Sequence, residues 1–171
     1  MIRMRQLNNV PEVDVLDRLG HLYEGTPSIV ELALQWRPFT DAEALHQALR
    51  NQVDLLTEDE KVALIQAHPD LVGNAALSGT ISASSSAEQR EAGLGVDDLS
   101  DEEKSTFSRL NASYLEKFGF PFVICVRENR KKSILEAFAV RLTHDRSTEI
   151  ATAIEEINTI AWYRIQDAIE P

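Results

Sequence analysis

The sequence predicts an all-α fold: a single domain over residues 1–171, built as a compact bundle of about eight helices with one extended apolar connector at residues 118–126. Three observations predict it. Apolar residues recur at three- and four-residue intervals along most of the chain, helix start and stop signals punctuate those stretches, and one segment alone has strand-like composition, with no evident partner in the sequence.

In chain order, "EVDVLDRLGHLYE" (12–24) spaces Val15, Leu19 and Leu22 at helical intervals. "PSIVELALQW" (27–36) opens with a proline near the first helical turn and stops before Pro38. Asp41 is placed to cap "AEALHQALRNQVDLL", in which Leu45, Leu49 and Val53 recur every four residues. Thr57 and Glu60 form a T-x-x-E capping box for the helix that runs to His68, where Pro69 pushes the preceding residue out of the α region. Residues 72–87, "VGNAALSGTISASSSA", are small and polar and read as a long loop of the kind that carries function. Ser85 and Glu88 repeat the capping-box spacing and open a short helix that Gly93 or Gly95 terminates. A longer helix follows from Ser100, with Phe107, Leu110 and Tyr114 on one face. "FGFPFVICV" is the buried connector, and two further helices, at 133–142 and about 147–169, complete the chain.

Composition excludes several function classes. With 43% hydrophobic and 26% charged residues the chain can close a sizeable core, and its net charge of -11 leaves no basic stripe for nucleic acid. The four histidines show neither HxH nor HExxH spacing, so no metal site is expected. A single cysteine, Cys125, precludes an intramolecular disulfide; it lies in an apolar run and reads as a core thiol, not a nucleophile. No leader-like segment or membrane-length apolar run is present, and a reducing cytoplasm is the expected location.

Three residues break the local rule. In the last helix Ile150, Ile154, Ile157 and Ala161 trace an inward stripe whose next member is Arg164. That guanidinium either snorkels to water or pairs with a carboxylate near the helix end, or it clamps a carboxylate or ureido group with its planar fork. His68 at a helix C-terminus is either a cap or an acid/base group, and the field there, with Asp70 nearby, favours imidazolium. Glu88 is either half of a capping box or a carboxylate, held ionised by the helix N-terminus, that orients His68 or accepts a proton. Its neighbour Gln89 has no capping role to explain it.

Together "RPF" (37–39), "AHPDL" (67–71), "SSAEQREAGL" (85–94) and "LNASYLEKFGFPFVICVR" (110–127) resemble one family, the 2-oxo-4-hydroxy-4-carboxy-5-ureidoimidazoline (OHCU) decarboxylases of purine degradation, from about residue 12 to 169. The resemblance implies an all-helical, cofactor-free enzyme, usually a homodimer, that converts a urate-derived intermediate to (S)-allantoin and CO₂. It carries the catalytic histidine onto His68 and the glutamate onto Glu88. Pro69, Ser85, Gln89 and Arg164 then match substrate-binding positions, and Phe122 to Ile124 match an apolar wall that also offers backbone hydrogen bonds. "YEGTPSIVE" departs from the pattern, with Ser28 where a tryptophan commonly follows the proline.

Such a substrate carries a carboxylate and a hydroxyl on one ring carbon beside a C=N bond. That bond can receive the electron pair released with CO₂, so neither pyridoxal, thiamine nor a metal is required. The rival readings are a non-enzymatic helical binding module and a hydrolase of a related ureido compound.

Overall fold

The structure, a computed structural model, describes residues 1–73 and 81–170. Nine helices are present among the described residues: α1 (Met4–Leu7), α2 (Glu12–Leu19), α3 (Ser28–Ala33), α4 (Ala42–Asp54), α5 (Glu58–Gln66), α6 (Ala83–Glu91), α7 (Asp101–Phe118), α8 (Lys131–Arg141) and α9 (Arg146–Ala168). The fold is all-α, as the periodicity predicts. None of these helices is long and apolar enough to cross a membrane.

Start signals cap three of the helices. Asp41 accepts from Ala44 N–H at 2.8 Å, Thr57 and Glu60 bond reciprocally across the first turn of α5, and Ser100 and Glu103 do the same for α7. Gly119 ends α7 at φ +80°, a conformation that any side chain would strain.

By its contacts the chain divides into two units, residues 1–67 with 157–171 and residues 68–156; α9 begins in the second and ends in the first. In the first unit α3 packs on both α2 and α4. Val15, Leu19, Ile29, Val30, Leu45, Leu49 and Val53 supply its core. α2 stops at Leu19, earlier than the spacing of Leu22 suggests, yet Leu22 is still buried by the chain that follows. The RPF motif anchors the N-terminal segment: Arg37 donates to the carbonyls of Leu34, Leu7 and Val10 at 3.2, 3.2 and 2.9 Å, and the Asn8 amide pairs reciprocally with the Phe39 backbone at 2.8 Å. The Arg37–Pro38 peptide is cis. A two-residue parallel pairing joins β1 (Ile2–Arg3) to β2 (Ile169–Glu170), which is too short to leave an alternating pattern in the sequence.

In the second unit the connector after α7 is buried and extended, with Phe120, Phe122, Val123, Ile124 and Cys125 at 6% exposure or less, and it ends in a 3-10 turn at Val126–Glu128. It joins no sheet, so its backbone polar groups need other partners. Side chains supply them. Arg141 Nη1 donates to Val123 O at 2.7 Å, Cys125 N–H donates to Glu156 at 2.7 Å, and Asn129 Nδ2 donates to Cys125 O at 2.9 Å. Burial pushes the Cys125 thiol up to about 11, away from the thiolate that a nucleophile needs.

Arg141 is itself held by Glu149, whose carboxylate is fully buried and accepts from Arg141 Nε, from Tyr114 OH at 2.5 Å and, on its other oxygen, from the His144 ring at 3.0 Å. Burial, and the hydrogen bond to Glu149, push the Tyr114 phenol far above its ordinary range and keep it a neutral donor. Replacing Glu149 by alanine is expected to destabilise the protein by about 3–5 kcal/mol, because it leaves the Arg141 charge buried without its partner. Urea unfolding checks this, and a change of less than about 1 kcal/mol, the range of an exposed pair, would contradict the assigned role.

Candidate active site

Proline after histidine sets the local chain path. α5 gives way at Ala67, two residues before Pro69, so His68 lies beyond the helix end and not on its last turn. Its side chain is 7% exposed. The chain then turns sharply through Asp70–Gly73. Val72 adopts φ +51°, a rare conformation for a β-branched residue, and a Cβ built on Gly73 would come within 2.7 Å of Asp70 Cβ. Leu71 and Val72 are buried at 5% and 2% exposure and anchor the turn from below. Polar side chains hold it from two helices. Val72 N–H donates to Gln89 Oε1 at 3.1 Å, Gln89 Nε2 donates to Asp70 O at 3.4 Å, and Asn111 Nδ2 donates to Leu71 O at 2.7 Å. Burial raises the Asp70 carboxyl above its ordinary range, so it is a weaker source of negative charge than its sequence position suggests.

The helix bearing Ser85 and Glu88 begins earlier than their spacing predicts. Ser82 is its N-cap and accepts from Ser85 N–H at 3.2 Å, so Ser85–Glu88 is not a capping box but lies inside α6. The sequence misleads because four serines among residues 82–86 offer several candidate caps. Residues 82–87 of the expected loop are therefore a cap and helix, while 74–80 lie outside the described residues. The correction removes the bland explanation of Glu88: six residues into the helix, it has no orphan amide to satisfy. Ser85, Glu88, Gln89 and Ala92 are 5, 8, 5 and 8% exposed and stand at i, i+3, i+4 and i+7. Three of the four residues on the buried face of α6 are thus polar. The helix closes in a Schellman motif, with Gly93 N–H to Arg90 O at 3.0 Å and Leu94 N–H to Gln89 O at 2.8 Å, Gly93 supplying φ +77°. α6 packs on the 3-10 turn that ends the connector.

Phe122 and Ile124 of the connector are buried at 0 and 6% exposure, and Pro69 is half-buried. The Phe122 ring stacks on Phe138 with centroids 3.7 Å apart, and the Arg141 guanidinium lies 4.2 Å from its centroid on the apolar side chain's face.

Arg164 belongs to the first unit. The whole stripe that leads to it is buried, and Arg164 itself is 3% exposed, so it does not snorkel to water. Its Nη1 donates to His21 O at 2.9 Å and to Glu24 Oε2 at 3.0 Å, which is the carboxylate pairing that the sequence left open. Among the described residues nine polar or charged side chains are buried, and five of them are the expected His68, Ser85, Glu88, Gln89 and Arg164.

The sequence reading missed Asn111. The buried stripe of α7 is Phe107, Asn111, Tyr114 and Phe118, whereas Leu110, expected on that face, is only half-buried. The signal was present: Asn111 stands at i+4 from Phe107 and i-3 from Tyr114. No group of three or more His, Cys, Asp or Glu among the described residues could hold a metal ion.

Comparison with known proteins follows the same pattern as the motifs. A sequence model of the OHCU decarboxylase family matches residues 8–166. The chain is similar to the 2-oxo-4-hydroxy-4-carboxy-5-ureidoimidazoline decarboxylase of Haloferax volcanii, with 35% identity over 97% of this chain and 95% of that one. It is also similar to the protein of the same name from Amia calva, with 36% identity over 98% of this chain and 94% of that one. A crystal structure of (S)-allantoin synthase superimposes with a TM-score of 0.79 at 25% identity over 99% of this chain; the present chain spans 54% of that longer protein. The motif order, the helical architecture and these matches agree, and the chain belongs to the OHCU decarboxylase family.

Proposed function

We propose that the protein is an OHCU decarboxylase, a carboxy-lyase that forms (S)-allantoin and CO₂ in urate degradation. The observation that carries the reading is the buried polar face of α6. Ser85, Glu88 and Gln89 are buried together on one face of α6, and the buried His68 lies in the same unit. Polar and ionisable side chains gathered in a protein interior support a ligand site.

The chemistry asked of them is modest. As CO₂ leaves, its bonding electron pair forms a C=C bond to the neighbouring ring carbon while the C=N π pair moves onto the nitrogen, which takes up a proton, and an enol results. The enol hydroxyl then loses its proton, and the neighbouring ring carbon gains one on a single face to set the (S) configuration. His68 exchanges the hydroxyl proton, and Glu88 holds either the imidazole or the ureido N–H groups. Ser85, Gln89 and Pro69 orient the ring, Phe122 and Ile124 form the apolar wall, and Arg164 supplies a planar fork for a carboxylate or ureido group. The substrate is its own electron sink, so the proposal includes no cofactor. The family match runs through residues of both units, which supports treating residues 1–171 as one working domain. A homodimeric, cytoplasmic enzyme completes the proposal; the first is implied by the family resemblance and the second by the lone buried thiol.

His68→Asn is expected to lower kcat by about 10²- to 10⁴-fold while the far-ultraviolet circular dichroism stays that of the parent. Near-normal turnover in the folded variant would remove His68 from the mechanism. Arg164→Lys, which keeps charge but loses the fork, is expected to raise KM about tenfold or more. An unchanged KM would count against a bidentate substrate contact.

A further inference from the structure

The Leu71–Val72 peptide group is held at both ends. Its carbonyl oxygen accepts from Asn111 Nδ2 at 2.7 Å, and its N–H donates to Gln89 Oε1 at 3.1 Å, so α7 and α6 each grip one side of the same amide plane. A peptide clamped in this way cannot rotate without breaking one bond or the other. The clamp sits where rotation matters most, because Val72 at φ +51° is a conformation the residue would leave if released. Gly73, with no room for a Cβ against Asp70, shows how tightly the turn closes.

Asn111 is a poor choice for stability alone. It is 7% exposed, and its Oδ1 has no hydrogen-bond partner among the described residues, so a buried amide is retained for the single bond to Leu71. A leucine at this place in the Phe107–Tyr114–Phe118 stripe would bury more apolar surface, but it would take the Asn111 donor from the Leu71 carbonyl. What the leucine could not do is hold the turn that begins two residues after His68.

We propose that Asn111 is a positioning residue for His68: acting with Gln89 on the Leu71–Val72 peptide, it locks the strained Asp70–Gly73 turn and so fixes the segment that aims the imidazole. The proposal rests on the decarboxylase reading for its functional consequence, but the clamp has a readout of its own.

The test compares the parent, Asn111→Ala and the double variant Asn111→Ala with Val72→Gly, each checked for its melting temperature. Asn111→Ala is expected to lower kcat about 10- to 100-fold with KM within about twofold, since the imidazole loses its aim while binding groups stay in place. Glycine adopts positive φ without strain and removes the need for the clamp, so the double variant is expected to recover at least about threefold in kcat. In parallel, amide hydrogen exchange at Val72, followed by NMR, is expected to be slow in the parent and at least about tenfold faster in Asn111→Ala. Unchanged kcat in folded Asn111→Ala, or a loss that follows the unfolded fraction and is not relieved by Val72→Gly, would overturn the positioning role. Unchanged exchange at Val72 would overturn the clamp itself. If the parent fails to turn over OHCU, the function reading fails separately, and the exchange result still decides whether Asn111 locks the turn.

Discussion

A fully buried carboxylate, Glu149, is the constraint on which the second unit is built. An isolated carboxylate in that position would cost several kcal/mol, and it is tolerable only because Tyr114, Arg141 and His144 converge on it. The convergence fixes three elements at once: Tyr114 belongs to α7, Arg141 to α8, and Glu149 to the first turn of α9. Arg141 then extends the network to the connector, donating to Val123 and covering Phe122. A chain segment that joins no sheet is thereby held by charged groups that helical sequence patterns would place in water.

That inversion explains which parts were legible in the sequence. Helix positions and most caps could be read because apolar periodicity and short-range capping chemistry are local, and Asp41, Thr57 and Ser100 act as their spacing requires. The start of α6 was misplaced because several serines in a row satisfy the same local rule and only packing chooses among them. The β1–β2 pairing was invisible, since two residues at either end of the chain carry no alternation. Arg141 and Glu149 were missed for a different reason: each is charged, each sits on a helix, and nothing within a few residues tells a buried pair from an exposed one.

The candidate site was legible only through family resemblance. By local rules His68, Glu88 and Arg164 each had an ordinary structural explanation. The structure removes one of them, because Glu88 lies within a helix, and bears out another, because Arg164 pairs with Glu24; His68 lies two residues past the last helical residue of α5. Asn111 and Gln89 add a layer that motif comparison did not separate from substrate contact, with side-chain amides spent on the backbone that follows the histidine. Strain at Val72 is kept, and the surrounding polar groups are bought at a cost in core packing, as expected where geometry matters more than stability.

The central claim is that this polar interior exists to decarboxylate OHCU on one face. Its most direct measurement is the circular dichroism of the allantoin formed when the purified protein is added to freshly generated OHCU, with CO₂ and ammonia followed together. The account predicts (S)-allantoin formed well above the spontaneous rate, with CO₂ and no ammonia. Racemic allantoin at the spontaneous rate would contradict it.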